Sequence, residues 1–167
     1  YDPLRADLAN IQILFNTCAE DKHVPKTERC ICTIKERSRS AFVVTPFRKS
    51  PAIMTIALVF AAIFWINAIP AGDGVSSTLS PCAIVTGQPT DYHKHFSLEF
   101  GEYVQAHESS NKTMGEKSTG VLALRPTGNA HGSHCFMSLT TGREIISLKW
   151  NPFPMLSDVI KQVHALA

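Results

Sequence analysis

The stretch PAIMTIALVFAAIFWINAIP, residues 51 to 70, decides how this chain is read. From Ile53 to Ile69 it holds 17 residues without a charge. A run of that length lies at the lower edge of a membrane span, and it also suits a helix buried on all sides. Arg48 and Lys49 precede it, as a cytoplasmic flank would, and Asn67 lies inside it. Two readings follow: an apolar core helix over 52–67, with Phe60, Phe64 and Trp65 in the core, or a single-pass span over 53–69.

Working outward, 167 residues suit one ordinary domain or two small ones, and 44% hydrophobic with 18% charged residues suits a globular chain. The net charge of +2 implies no global field, but its distribution is uneven. Residues 21 to 50 carry eight Lys and Arg against three acids, a local +5. A basic segment of this kind fits a polyanion, either nucleic acid or a membrane surface. The five cysteines are odd in number and scattered, with Cys30 and Cys32 as CxC and no CxxC. They read as reduced thiols of an intracellular protein, nuclear or cytoplasmic and not secreted. The chain opens on Tyr1-Asp2-Pro3 with no basic and apolar leader, and it reads as a piece of something longer.

Upstream of the apolar run, PLRADLA (3–9) predicts a short helix and IQILF (11–15) a strand. After Pro25 a helix is expected from a Thr27 N-cap to residue 44. At 100° per residue Ile31, Ile34, Ser38, Ala41 and Phe42 form one stripe, and Glu28, Cys32, Lys35 and Arg39 the next. A carboxylate in the first helical turn is favoured by the dipole, so Glu28 reads as a capping charge with solvated i,i+4 pairs. The sharper reading makes it a metal-binding acid with basic residues along a phosphate backbone. Downstream, 71–91 is small and polar. From about 92 come short strands, EYVQAH, GVLALRP, CFMSLT and REIISLKW, divided by turn signals. That spacing predicts a small barrel plugged by Trp150, and MLSDVIKQVHALA closes the chain as an amphipathic helix.

One series of stretches adds to this. HVPKTERCICTIKERSRS resembles the segment around the third acid of copia-type retrotransposon integrases, which reads roughly E-R-x-x-R-T-I. FWINAIP, GVSSTLSP, DYHKHFSLEFGEYVQAHE, GVLALRPTGN and MSLTTGREIISLKW continue the resemblance in order. It implies an α+β chain: the C-terminal part of an RNase H-like integrase core over 1–70, a linker over 71–91, a small SH3-like β-barrel over 92–150 and a closing helix over 151–167. By resemblance Glu28 is the catalytic and metal-binding glutamate of an Asp-Asp-Glu triad using Mg²⁺ or Mn²⁺. Lys26, Arg29, Lys35 and Arg39 are the nucleic-acid contacts it implies. Both aspartates would lie upstream, the nearer one beyond the 27 residues that precede Glu28. The implied chain is therefore catalytically inert as it stands and needs no cofactor. Its implied partners are DNA, bound weakly and non-specifically, the rest of the polyprotein, and a second copy of itself; no membrane is implied. Cys32 and Cys82 stand where the family favours Arg, which removes two basic contacts. The resemblance also implies that the partners of the 52–67 helix lie upstream, leaving it uncovered here. The competing readings are the single-pass span and a stand-alone SH3-like interaction module.

Two histidine groups remain. His93-x-His95 and His131-x-x-His134-Cys135 have the look of zinc ligands, but they fall in turn-rich segments and are expected as exposed loop histidines. Asn111-Lys112-Thr113 is a glycosylation sequon, expected to be idle. Arg125, Arg143 and Lys149 are expected on a solvated barrel face that nucleic acid could also touch.

Overall fold

The computed structural model describes residues 2–12, 24–72, 74–107 and 117–167. It is a mixed helix and antiparallel-sheet structure in two compact units, Tyr1–Thr33 and Ile34–Ala167. The sequon and most of the strand expected over 11–15 lie outside the described residues.

In the first unit, α1 spans Asp2–Asn10, as the sequence predicts. Ile11 and Gln12, expected to open a strand, form a turn instead. Their amides donate back to Leu8 and Ala9, and Gln12 takes φ 60°. α2 spans Pro25–Val44 and crosses from one unit to the other. It starts two residues before the expected Thr27 cap. Proline is tolerated in the first turn because its missing N–H has no partner there, and the Glu28 amide closes that turn on the Val24 carbonyl at 3.0 Å.

The second unit is built on a five-stranded antiparallel sheet in the order β4-β3-β2-β1-β5. β1 is Tyr103–His107, β2 Ser118–Pro126, β3 His134–Ser138, β4 Glu144–Ser147 and β5 Trp150–Pro152. The first four strands form a meander and the fifth returns to pair with β1. Gly142, at φ 66°, turns β3 into β4, a conformation that glycine adopts without a Cβ clash. Trp150 opens β5 instead of ending the strand before it.

The central strands are buried on both faces, which explains the near-continuous apolar runs VLAL and CFM. On one face Val121, Ala123 and Phe136 join Val104 and Ala106, with Ile145, Leu98 and Trp150 packed around them. On the other, Leu122, Leu124, Cys135 and Met137 meet Phe47, which lies between two helices, and the helical residues Met54, Ala57, Val159 and Val163. A β-bulge between Ala123 and Arg125 sets two residues of β2 against one of β3. Arg125 thereby pairs with Cys135, and its guanidinium lies 5.4 Å from the Phe60 ring centroid.

The helical cover comes from α3, Ala52–Ala68, and α6, Ser157–Leu166. α3 buries Met54, Ala57, Leu58, Ala61, Ala62 and Ala68, a stripe at helical spacing whose alanines allow close approach to β2. The helix expected to lack partners therefore has one, the sheet that follows it in sequence. The same geometry corrects the core assignment of Phe60: that side chain is 54% exposed, beside exposed Ile56. At 17 residues α3 is about 25 Å long, and among the described residues no helix is long and apolar enough to cross a membrane. The expected boundaries at 70/71 and 91/92 fall inside this unit. Within 71–91 lies α4, Pro81–Thr86, capped by the Ser80 hydroxyl and ended by Gly87 at φ 71°. α5, Tyr92–His95, follows, capped by the Asp91 carboxylate.

Candidate functional site

The residues singled out for DNA and metal all stand on α2. Lys26, Glu28 and Arg29 belong to the first unit; Lys35 and Arg39 belong to the second. All five are exposed, and α2 has no buried residue among those described. Glu28 lies in the first helical turn, where the exposed amides and the dipole favour an anion. The Thr33 hydroxyl donates to the Arg29 carbonyl at 2.9 Å and the Ser38 hydroxyl to the Ile34 carbonyl at 2.8 Å, so both fold back on the helix. The apolar stripe is half-buried at Ile34, Ser38, Ala41 and Phe42, whereas Ile31 is exposed. Lysine and arginine heads held at a helix surface suit phosphate oxygens, which accept their N–H groups without reading sequence. Among the described residues, no group of three or more His, Cys, Asp or Glu comes together to hold a metal ion.

The basic residues of the second unit have differing surroundings. Arg48 and Lys49 are exposed in the loop before α3, and the Arg48 amide donates to His164 Nε2 at 3.2 Å. Arg143 and Lys149 are exposed. Arg125 is not free for a ligand: its Nη2 pairs with Glu144 Oε1 at 3.4 Å and its guanidinium stacks over Phe60. Next to that pair the Cys135 thiol is 1% exposed, and burial and its bond to Glu144 push it up to about 12. Cys30 and Cys32 are exposed free thiols and Cys82 is half-buried.

The histidines divide in a way the sequence did not predict. His93 and His131 are exposed, as expected, but His95 and His134 are 6% and 1% exposed. The expectation of four loop histidines is corrected for these two. HxH falls on a short helix instead of a loop, and the Asp91 cap closes that helix with His95 turned inward beside Phe64. His134 opens β3, where all five residues are buried, and lies edge-on to Trp150 at 4.7 Å. Burial lowers the pKa of both rings. The alternation of Ser133-His134-Cys135-Phe136 places His134 and Phe136 on one face, the signal that could have marked His134 as internal.

Comparisons with protein-family models, with curated proteins and with solved structures return no match.

Proposed function

We propose that this chain is a nucleic-acid-contacting remnant of a copia-type retrotransposon integrase, comprising the end of an RNase H-like core and an SH3-like barrel. The observation that carries the reading is the ordered series of resembling stretches from residue 23 to residue 150. The strand order supports it. Four strands of meander with a fifth returning to the first is the connectivity expected of an SH3-like barrel; the first four strands lie in the segment read as one, 92–150, and the fifth runs past its end to Pro152. Exposed Lys26, Arg29, Lys35 and Arg39 are the phosphate contacts in this reading. Each would neutralise backbone charge and release counterions, giving weak, salt-sensitive binding without base recognition. Glu28 would be the triad glutamate. Two-metal phosphoryl transfer needs two or three converging carboxylates, and Glu28 supplies one. The reading therefore assigns DNA contact, without strand transfer, to the residues described.

Fluorescence anisotropy on a labelled duplex, run across a salt series, tests the contact. The expected plot of log affinity against log salt falls with a slope of about −0.9 per phosphate neutralised. Affinity independent of salt would overturn the reading. A strand-transfer assay with Mg²⁺ or Mn²⁺ is expected to show no joining, and joined product would overturn the assignment of inactivity.

A further inference from the structure

α2 carries the charge that the DNA reading uses, but its other face has no role in that reading. Among the described residues α2 buries none of its side chains, and no strand or other helix packs along its length. Thr27, Ile31, Ile34, Ser38 and Ala41 follow one another at steps of four, three, four and three residues. That alternation is the a/d seam of a coiled coil, narrower than the stripe a helix turns to a globular core. The seam belongs to one continuous helix, Pro25–Val44, so helical geometry alone aligns it over about 30 Å.

The seam is suited to being covered. Its two largest residues, Ile31 and Ile34, stand at its centre, with Ile31 45% exposed. Toward the ends Thr27, Ser38 and Ala41 are small and let a second helix approach closely. The Ser38 hydroxyl donates to the Ile34 carbonyl at 2.8 Å, so it enters a covered seam with its donor already satisfied.

The charges beside the seam select what covers it. With Ile31 at an a position and Ile34 at a d position, Glu28 and Lys35 occupy consecutive e positions, and both are exposed. In a twofold antiparallel helix pair a residues meet d residues and e residues flank e residues. When Ile31 of one copy meets Ile34 of another, Thr27 meets Ser38, and Glu28 lies across from Lys35 on both sides of the axis. A shift of one heptad either way sets Glu28 against Glu28 or Lys35 against Lys35, and like charges repel. Parallel pairing sets the g residues Cys30 and Arg37 beside the e residues Lys35 and Phe42, with no pair of opposite charge. The pattern therefore favours one occupant, one direction and one register: a second α2, antiparallel, centred on the isoleucines. Lys26, Arg29 and Arg39 take outer positions in that pair and stay open to phosphate.

We propose that α2 is a self-association surface: two copies of this chain pair through antiparallel α2 helices, closed by Ile31 against Ile34 and by two reciprocal Glu28–Lys35 ion pairs. Pairing needs neither nucleic acid nor metal. A single helix pair lies at the small end of interface sizes, so association is weak, with a Kd of about 10–100 µM. Exposed ion pairs contribute little each, so they set direction and register while the isoleucines supply most of the affinity.

Sedimentation equilibrium of the full chain, without nucleic acid, from about 5 to 500 µM tests the pairing. The expected result is a monomer–dimer equilibrium. Glu28→Lys alone, or Lys35→Glu alone, makes both ion pairs repulsive and should weaken association about tenfold. The two changes together restore opposite charges and should recover it. Ile34→Asp should leave only monomer, because it would bury a carboxylate at the centre of the seam. None of these three side chains is buried in the single chain, so the variants should keep its far-UV circular dichroism. A monomer across the whole range would overturn the proposal. So would single reversals that leave association unchanged, or a double reversal that fails to restore it. A dimer that survives Ile34→Asp and is lost in Phe60→Asp would also overturn it, placing the second copy on the outer face of α3. DNA anisotropy run well below the Kd reads the single chain, so failure of the DNA reading and failure of the pairing are separate results.

Discussion

Met54→Ala tests whether the apolar helix and the sheet are one cooperative body. Met54 is 1% exposed in α3 and shares a cluster with Leu122, Leu124 and Met137 of the sheet and Val163 of α6. Truncation removes the transfer energy of the lost atoms and leaves a cavity that tightly packed neighbours cannot fill, about 2–5 kcal/mol in all. The site is enclosed by strand on one side and helix on the other, so collapse is restricted. The upper half of that range, about 3–5 kcal/mol, is expected. With a urea m-value of about 2 kcal/mol/M the midpoint should fall by roughly 1.5–2.5 M. Ile56→Ala on the outer face, where the side chain is 58% exposed, should move it by less than about 0.3 M. The assay is equilibrium urea unfolding read from Trp150 in a Trp65→Phe background, since Trp150 packs on Phe136 at 5.6 Å inside the sheet. A Trp150 transition that Met54→Ala leaves in place would refute the reasoning: the sheet would then fold without α3.

Three further outcomes are expected. Cys135 ionises near 9.0 when unfolded and near 12 when folded, so the folded form holds the proton more tightly. Stability should therefore fall as pH rises above 9.0, by about 1.4 kcal/mol per unit, and Cys135→Ala should flatten that limb in alkaline unfolding curves. Arg125 and Glu144 are partly exposed, with side-chain exposures of 28% and 36%, so a double-mutant cycle to Ala should give a coupling below about 1 kcal/mol that shrinks with salt. Replacing Lys26, Arg29, Lys35 and Arg39 together by Ala should reduce the salt slope of DNA binding by about 3 to 4 and leave the urea midpoint nearly unchanged, because all four are exposed.

The helices were legible because their signals are local. Proline and small residues bound the runs at 25–44 and 52–68, and periodicity marks 157–166. β1 to β4 were legible from turn chemistry and apolar runs. β5 was not, because its three residues, Trp150–Pro152, become a strand only by pairing with β1 far back in the chain. α4 and α5 were missed for a related reason: at six and four residues they are too short for periodicity, and only the Ser80 and Asp91 caps announce them. The exposed α2 residues were legible as charge on a helix. His95 was not, since its depth depends on Phe64, which no window around it contains, and His134 was signalled only by its alternation with Phe136.

The same locality explains why the 51–70 stretch misleads. An all-round apolar helix signals burial on every side, and α3 is buried on one. Its inner stripe is mostly alanine, with Met54 and Leu58, while bulk stands outside at Ile56, Val59 and Phe60. Small residues inside let the helix axis approach a sheet whose own side chains are large: Leu122, Leu124 and Met137. The bulge at Leu124 then turns Arg125 toward the outer margin of α3, where Phe60 receives its guanidinium at 5.4 Å. Phe60 thus has an electrostatic reason to be aromatic that hydrophobicity alone does not provide. Phe60→Leu preserves apolarity and removes only the ring. It should lose about 0.5–1 kcal/mol in urea unfolding when Arg125 is present and nothing when Arg125 is Met. Equal losses in both backgrounds would show that Phe60 contributes only by packing.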